Sequence, residues 1–349
     1  MKTNTDEMDI RDVATPELAS HFRKANATLA ADNNRLRAML GERQEMAAGV
    51  AAAVVAAPPY KPFVYNSTRK KSASIACLKL SDWHIGEVVS ASETEGFGKF
   101  NWQIAQELIH SITQDFLKWI NTSRASVSID RLVIFAEGDF ISGDIHEELK
   151  VTNEFPTPVQ TANAGLLLGE VIRALSSHFK STLVSMVAAD NHSRQKKKPQ
   201  AKEKSLNSFG WLVQVIARQY LAKCARVDFQ IAEGMSQVVE VGSYKVLTEH
   251  GDTIKGWAGF PYYGFGRRHG REAERRMNTD KGFHFWSLGH FHVPAVINGK
   301  WFVNGSLSGT SEFDHGQGRE AKPAQVGFLM GPHGVYNWVP FSGSSPSKA

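Results

Sequence analysis

Phe283-His284-Phe285-Trp286-Ser287-Leu288-Gly289-His290-Phe291-His292 is an apolar run that ends, directly after a glycine, on two histidines one residue apart. A short apolar run of this length predicts a buried strand, and side chains two residues apart share a face, so both imidazoles leave the strand end together. Four earlier segments repeat the arrangement. Ile75–Leu80 leads to Asp82-Trp83-His84, Leu132–Ala136 to Gly138-Asp139, Leu183–Ala188 to Asn191-His192, and Val246-Leu247 to His250-Gly251-Asp252. Every donor then sits at the carboxyl end of a strand, where open α/β sheets place their ligand crevice. A dinuclear metal centre needs about seven or eight nitrogen and oxygen donors, one of them a carboxylate that can bridge both ions. These segments supply enough.

The ordered set resembles the calcineurin-like metallophosphoesterase superfamily, whose blocks run D-x-H, G-D, G-N-H-[D/E], H and G-H-x-H. Asn304-Gly305-Ser306 resembles the N-x-G-S strand end that often follows the last histidine pair. The likeness implies an α/β fold, an αββα sandwich, and a metal-dependent phosphoester hydrolase. Carried over block by block, it implies one metal on Asp82, His84, Asp139 and His292 and another on Asp139, Asn191, His250 and His290, with Asp139 as bridge. Water acidified between two such cations attacks phosphorus without a protein nucleophile. His192 is implied as the proton donor to the leaving oxygen. With no cysteine in the set, manganese is the first expectation for the two divalent ions, and iron, zinc, nickel or magnesium are the alternatives.

Two departures stand out. The acidic residue expected after the catalytic histidine is Ser193, and the glycine expected before the asparagine is Asp190. The usual carboxylate that orients the imidazole is therefore missing, and Asp190 or another carboxylate is the expected substitute. His284, inside an apolar run, is expected to be a core histidine.

At 349 residues the chain can hold one large α/β domain with an appendage. Residues 1–59 are expected to form an N-terminal helical extension and linker, and 60–349 the metallophosphoesterase domain. Leu18, Phe22, Ala25, Leu29, Leu36 and Met39 follow a 4-3 spacing interrupted by Asp32, as in a short coiled coil that makes a homodimer or higher oligomer. An amphipathic helix docked on its own domain is the other reading. Phe100, Ile104, Leu108, Ile112, Phe116 and Ile120 mark a helix that covers one sheet face, and 161–180 and 206–223 read similarly. After His292 only strand signals follow, expected to complete a second sheet. Cys77 and Cys224 offer no disulfide framework. Met1–Glu7 carries no apolar signal core and Ala47–Ala57 is too short to span a bilayer, so a cytoplasmic protein without membrane contact is expected.

Net charge is +5, and its distribution says more than its total. Arg194 through Lys204, with Lys196, Lys197 and Lys198, follows directly on His192. A second basic loop, Gly264 to Arg276 with Arg267 and Arg268, follows the aromatics Trp257, Phe260, Tyr262 and Tyr263. Cations beside stackable rings at the mouth of a phosphoesterase site favour a nucleic-acid substrate, hence a nuclease. His146, just beyond Asp139, is expected either as a further substrate contact or as part of a solvated loop. A phosphatase or cyclic-nucleotide phosphodiesterase, and a nucleic-acid-binding scaffold with a structural metal site, are the alternatives.

Overall fold

The computed structural model describes residues 15–56, 71–255 and 261–343, without the side chains of 53–56. Met1–Glu7, the linker end at Pro58-Pro59, Trp257 and Phe260 lie outside the described residues. The chain divides into two compact units, Met1–Arg69 and Lys70–Ala349. In the first, α1 (Pro16–Ala56) is one continuous helix of 41 residues. No helix among the described residues is long and apolar enough to cross a membrane.

The second unit holds β1 (Ala73–Leu80), α2 (Trp102–Ser123), β2 (Ser128–Ala136), α3 (Glu147–Thr152), α4 (Thr157–Ser176), β3 (Ser181–Met186), α5 (Phe209–Tyr220), β4 (Val227–Ile231), β5 (Ser236–Val241), β6 (Tyr244–Glu249), α6 (Tyr262–Arg276), β7 (Phe285–Leu288), β8 (Ala295–Ile297), β9 (Trp301–Val303), α7 (Glu312–Gly316), β10 (Gln325–Gly331) and β11 (Gly334–Phe341). One sheet runs β11-β10-β1-β2-β3-β4 and the other β5-β6-β7-β9-β8. In the first, β1 to β4 are parallel and β10 pairs antiparallel to β1. The final hairpin therefore extends the first sheet, whereas the sequence reading placed all the late strands in the second. An apolar strand records that it is buried but not which sheet it joins.

Strand alternation explains the layers. On β1 and β2, Ala76, Leu78, Leu80, Leu132 and Ile134 face the helices, and Cys77, Val133 and Phe135 face the second sheet. The helix α2 is capped by Asn101, whose side chain accepts the Ile104 N–H at 2.9 Å. Its buried stripe of Leu108, Ile112, Phe116 and Ile120 lies in the helix-side core. Between the sheets Phe328 stacks against Phe135 and Phe302, with centroids 6.2 and 5.0 Å apart. Emptying that position, Phe328→Ala, would cost about 3–5 kcal/mol. Lys79 also enters this layer, fully buried, donating to Glu137 at 2.6 Å, to the Phe302 carbonyl at 3.0 Å and to Ser287.

The second basic loop is a helix. Along α6, Phe265 packs against Trp286 and Trp301 on the outer face of the second sheet. The αββα sandwich is complete. His284 is also not in the core: it is exposed at the start of β7, where its Nδ1 accepts the Lys245 N–H at 3.0 Å.

Candidate metal centre

Three of the donor-bearing segments leave their strands by sharp bends. Asp82, His84, Asp139, His290 and His292 all adopt left-handed backbone, with φ of 55°, 49°, 49°, 71° and 60°. Only four other non-glycine residues among those described do so, Glu95, Glu203, Asn298 and Asn337. An L residue is destabilised there by on the order of 1 kcal/mol, so the surroundings must hold these bends. The segments are laced to one another. Asp82 Oδ1 accepts the His290 N–H at 2.8 Å and Asp139 Oδ1 the His192 N–H at 3.0 Å. The Asp82 N–H reaches the Gly138 carbonyl at 3.0 Å, and the His84 N–H that of Asp139 at 3.1 Å. Glycine is required at two of these crossings: a Cβ on Gly138 would lie 2.8 Å from that of Asp190, and one on Gly289 2.7 Å from Asp82 Oδ2.

Two triads result. Donor atoms of Asp82, His84 and His292, and separately those of Asp139, His250 and His290, lie within 4.8 Å of one another. His84 Nε2 and His292 Nε2 are 3.1 Å apart, a spacing that one cation bound at about 2.0–2.1 Å from each would produce. His250 Nδ1 donates to the Glu137 carbonyl at 2.7 Å, which leaves Nε2 facing Asp139 Oδ2 at 2.9 Å and Asn191 Oδ1 at 3.0 Å. The donors are nitrogen and oxygen only, without thiolate, a set that suits divalent ions.

The two sheets, with helices on both outer faces, form an αββα sandwich whose strand ends carry both donor triads. No family model and no curated protein matches the chain. Solved structures it is similar to include a predicted phosphoesterase of Streptococcus pneumoniae TIGR4, at 12% identity and TM-score 0.28, covering 53% of this chain and 87% of that one. Vacuolar Protein Sorting 29 from Cryptosporidium parvum matches at 12% identity and TM-score 0.31, covering 77% and 99%. The Entamoeba histolytica Vps29 complexed with zinc matches at 13% and 0.30, covering 76% and 99%. Overlaps this loose assign neither activity nor partner.

His192 lies beside the triads and is partly exposed. Its ring is 4.5 Å from that of His84 and 5.6 Å from that of His146, an exposed residue just before α3. Its Nδ1 donates to the Ser142 carbonyl at 2.8 Å. That carbonyl, not a carboxylate, orients the ring. Asp190 does something else: it accepts the Ser193 N–H at 2.8 Å, the Ser193 hydroxyl at 2.5 Å and, across the crevice, the Asp139 N–H at 3.0 Å. His192 is close enough to His84 and Asp139 to form a third donor group with them.

The sequence reading missed Asp314. It stands 3.9 Å from His292 Nδ1, behind the ring, and its position is fixed by a capping box with Ser311 at the start of α7. Ser311-x-x-Asp314 was the available signal. Trp83, bulky between two ligands, is fully buried edge-on against Phe140 and donates to Gln325 Oε1 at 3.2 Å. Gln325 also accepts from Asn304 at 3.3 Å, which accounts for the Asn304-Gly305-Ser306 segment as a brace under the first ligand loop.

Electrostatics divide the imidazoles. Burial and then the His250 charge push His290 down to about 3, and burial with His192 and His292 takes His84 well below the ordinary value. For His250 burial acts downward too, but the Asp139 charge and contact outweigh it and hold the ring well above the usual range. His292 is raised, because burial is overcome by Asp314 and Asp82.

The basic residues are not equally available. Lys196 and Lys198 are exposed, and with Arg194 and Lys204 line a small cavity of about 160 Å³. Lys197 pairs with Glu147 at 3.0 Å on the open surface, and Lys204 with Asp252 at 2.6 Å. Arg267 is exposed over the Tyr263 ring, 5.8 Å from its centroid. Arg268 is engaged by Glu249 and Glu272, each at 3.1 Å, so its guanidinium braces α6 against the sheet. Glu272, further gripped by Arg275 and Arg276, is correspondingly held below the usual carboxylate range despite its burial.

Proposed function

We propose that the chain is a two-metal phosphodiesterase acting on a nucleic acid. The convergence of Asp82–His84–His292 and Asp139–His250–His290 on one crevice carries the hydrolase reading. Divalent cations held there would acidify water to a nucleophile and offset charge on the phosphoryl oxygens. Asp139 would be the carboxylate shared by both ions, and Asn191 would complete the second set. His192, its Nδ1–H fixed on Ser142, turns Nε2 toward the crevice and would pass a proton to the leaving oxygen. Manganese is the first choice for a nitrogen and oxygen donor set, with iron, zinc, nickel and magnesium as the alternatives. Cys77, buried, and Cys224 are both free thiols, in keeping with a cytoplasmic site of action.

Arg194, Lys196 and Lys198 follow the proton donor within a few residues and favour a polyanion over a small phosphoester. The test is hydrolysis of labelled single- and double-stranded DNA, RNA, cyclic nucleotides and a chromogenic bis-ester, with each metal and at several salt concentrations. Oligonucleotide turnover that falls steeply with salt while the bis-ester stays flat supports the nuclease reading. Activity confined to small esters replaces it with a phosphatase or cyclic-nucleotide enzyme. Binding without hydrolysis under every metal leaves a scaffold.

A further inference from the structure

Within its own unit, the helix α1 carries an apolar line with no cover among the described residues. Phe22, Leu29, Leu36, Met39, Met46 and Val50 are between 45% and 73% exposed. With Phe22 as heptad position a, the a positions are 22, 29, 36, 43 and 50 and the d positions 18, 25, 32, 39 and 46. Two break the pattern: Asp32 at d and Arg43 at a. Neither makes an ion pair among the described residues, and both are exposed.

These two residues select the partner's orientation. In a parallel pair of α1 helices Asp32 faces Asp32 and Arg43 faces Arg43, two like-charge contacts inside the seam. The flanking g and e positions then set Arg35 against Leu40, with no compensating charge. In an antiparallel pair, a positions oppose d positions. One register places Leu36 opposite Met39, Leu29 opposite Met46, Val50 opposite Ala25 and Arg43 opposite Asp32, each twice by symmetry. In the same register the g positions set Arg35 against Glu42. A slide of one heptad puts Asp32 opposite Leu36 or Val50 and loses both charge pairings.

We propose that α1 is an antiparallel homodimerisation helix, its register set by reciprocal Asp32–Arg43 and Arg35–Glu42 pairs around a central Leu36–Met39 core. The occupant of the exposed stripe is a second copy of the same helix, and the layers from Ala25 to Val50 span roughly 40 Å. The proposal is independent of the metal centre.

The test uses the full chain with Cys224→Ser, since Cys77 is buried. Light scattering should give a dimer. With a short bis-maleimide, the Ala25→Cys/Val50→Cys variant should be captured as a covalent dimer, and neither single variant should. Asp32→Arg should weaken the dimer about tenfold or more, and Asp32→Arg/Arg43→Asp should restore most of the affinity. A monomer at all concentrations overturns the proposal. So does capture of either single-cysteine variant, which reports a parallel pair, or a charge swap no tighter than Asp32→Arg alone.

Discussion

Asp190 Oδ2 accepts the backbone N–H of Asp139 at 3.0 Å, so the residue that follows one strand holds the bend of the residue we propose as the bridging carboxylate. The same carboxylate fastens Ser193 twice. Asp190→Ala frees three donors at once. It should reduce metal affinity about 10–100-fold and stability by about 1–3 kcal/mol per unsatisfied group, measured by metal titration and by urea unfolding. Unchanged metal affinity would show that Asp139 keeps its bend unaided.

His192→Ala should separate metal content from turnover. With the triads intact, both ions stay bound while the rate on a phosphodiester falls about 10²–10⁴-fold. Elemental analysis beside steady-state rates decides; loss of one ion would make His192 a ligand, as its place in the group with His84 and Asp139 allows.

Metal binding should release protons. His250 and His292 are both raised above the usual imidazole value in the metal-free fold, so each favours a proton that it must lose to coordinate. Calorimetry in buffers of different ionisation enthalpy should show up to about two protons released, and affinity should rise with pH. Stability of the metal-free fold runs the opposite way. A folded-state value above the unfolded one stabilises fully below about 6.5, and that contribution is lost as pH rises through the raised values.

Lys79→Met should destabilise by roughly 3–5 kcal/mol, because it strands Glu137 as an unpaired buried charge. Lys79→Met/Glu137→Leu should recover much of that in chemical denaturation. A double variant as weak as the single would mean that Thr248, which donates to Glu137 Oε1 at 2.7 Å, or Ser287 needs the polar partner more than the pair needs itself.

Much of the site could be read in advance because its information is local. A short apolar run followed by a donor declares both the strand and the ligand, and Ile75–Leu80 with Asp82 and His84 was legible on that ground. What sequence withheld is relational. His192 is oriented by the Ser142 carbonyl, and a backbone acceptor has no residue type to announce it. Gly264, Gly266 and Gly270 disguised α6 as a loop, since its inward face is one phenylalanine followed by an acid and an arginine that neutralise each other. Asp314 was hidden by distance along the chain: the capping box was visible, but not the ring it would stand behind.

The left-handed bends at Asp82, His84, Asp139, His290 and His292 have a consequence for how this chain can change. Judged by backbone alone, glycine is the residue each position favours, and natural sequences normally agree with their local geometry. Asp82 and Asp139 are also kept by the backbone N–H groups they accept, but selection for stability pulls His84, His290 and His292 toward glycine, and a bound ligand pulls back. A descendant that no longer needed its ions would become sturdier by losing them, one bend at a time. Glycine scanning of the metal-free protein, with Tm as readout, would reveal the active centre as the set of places where inactivation and stabilisation coincide.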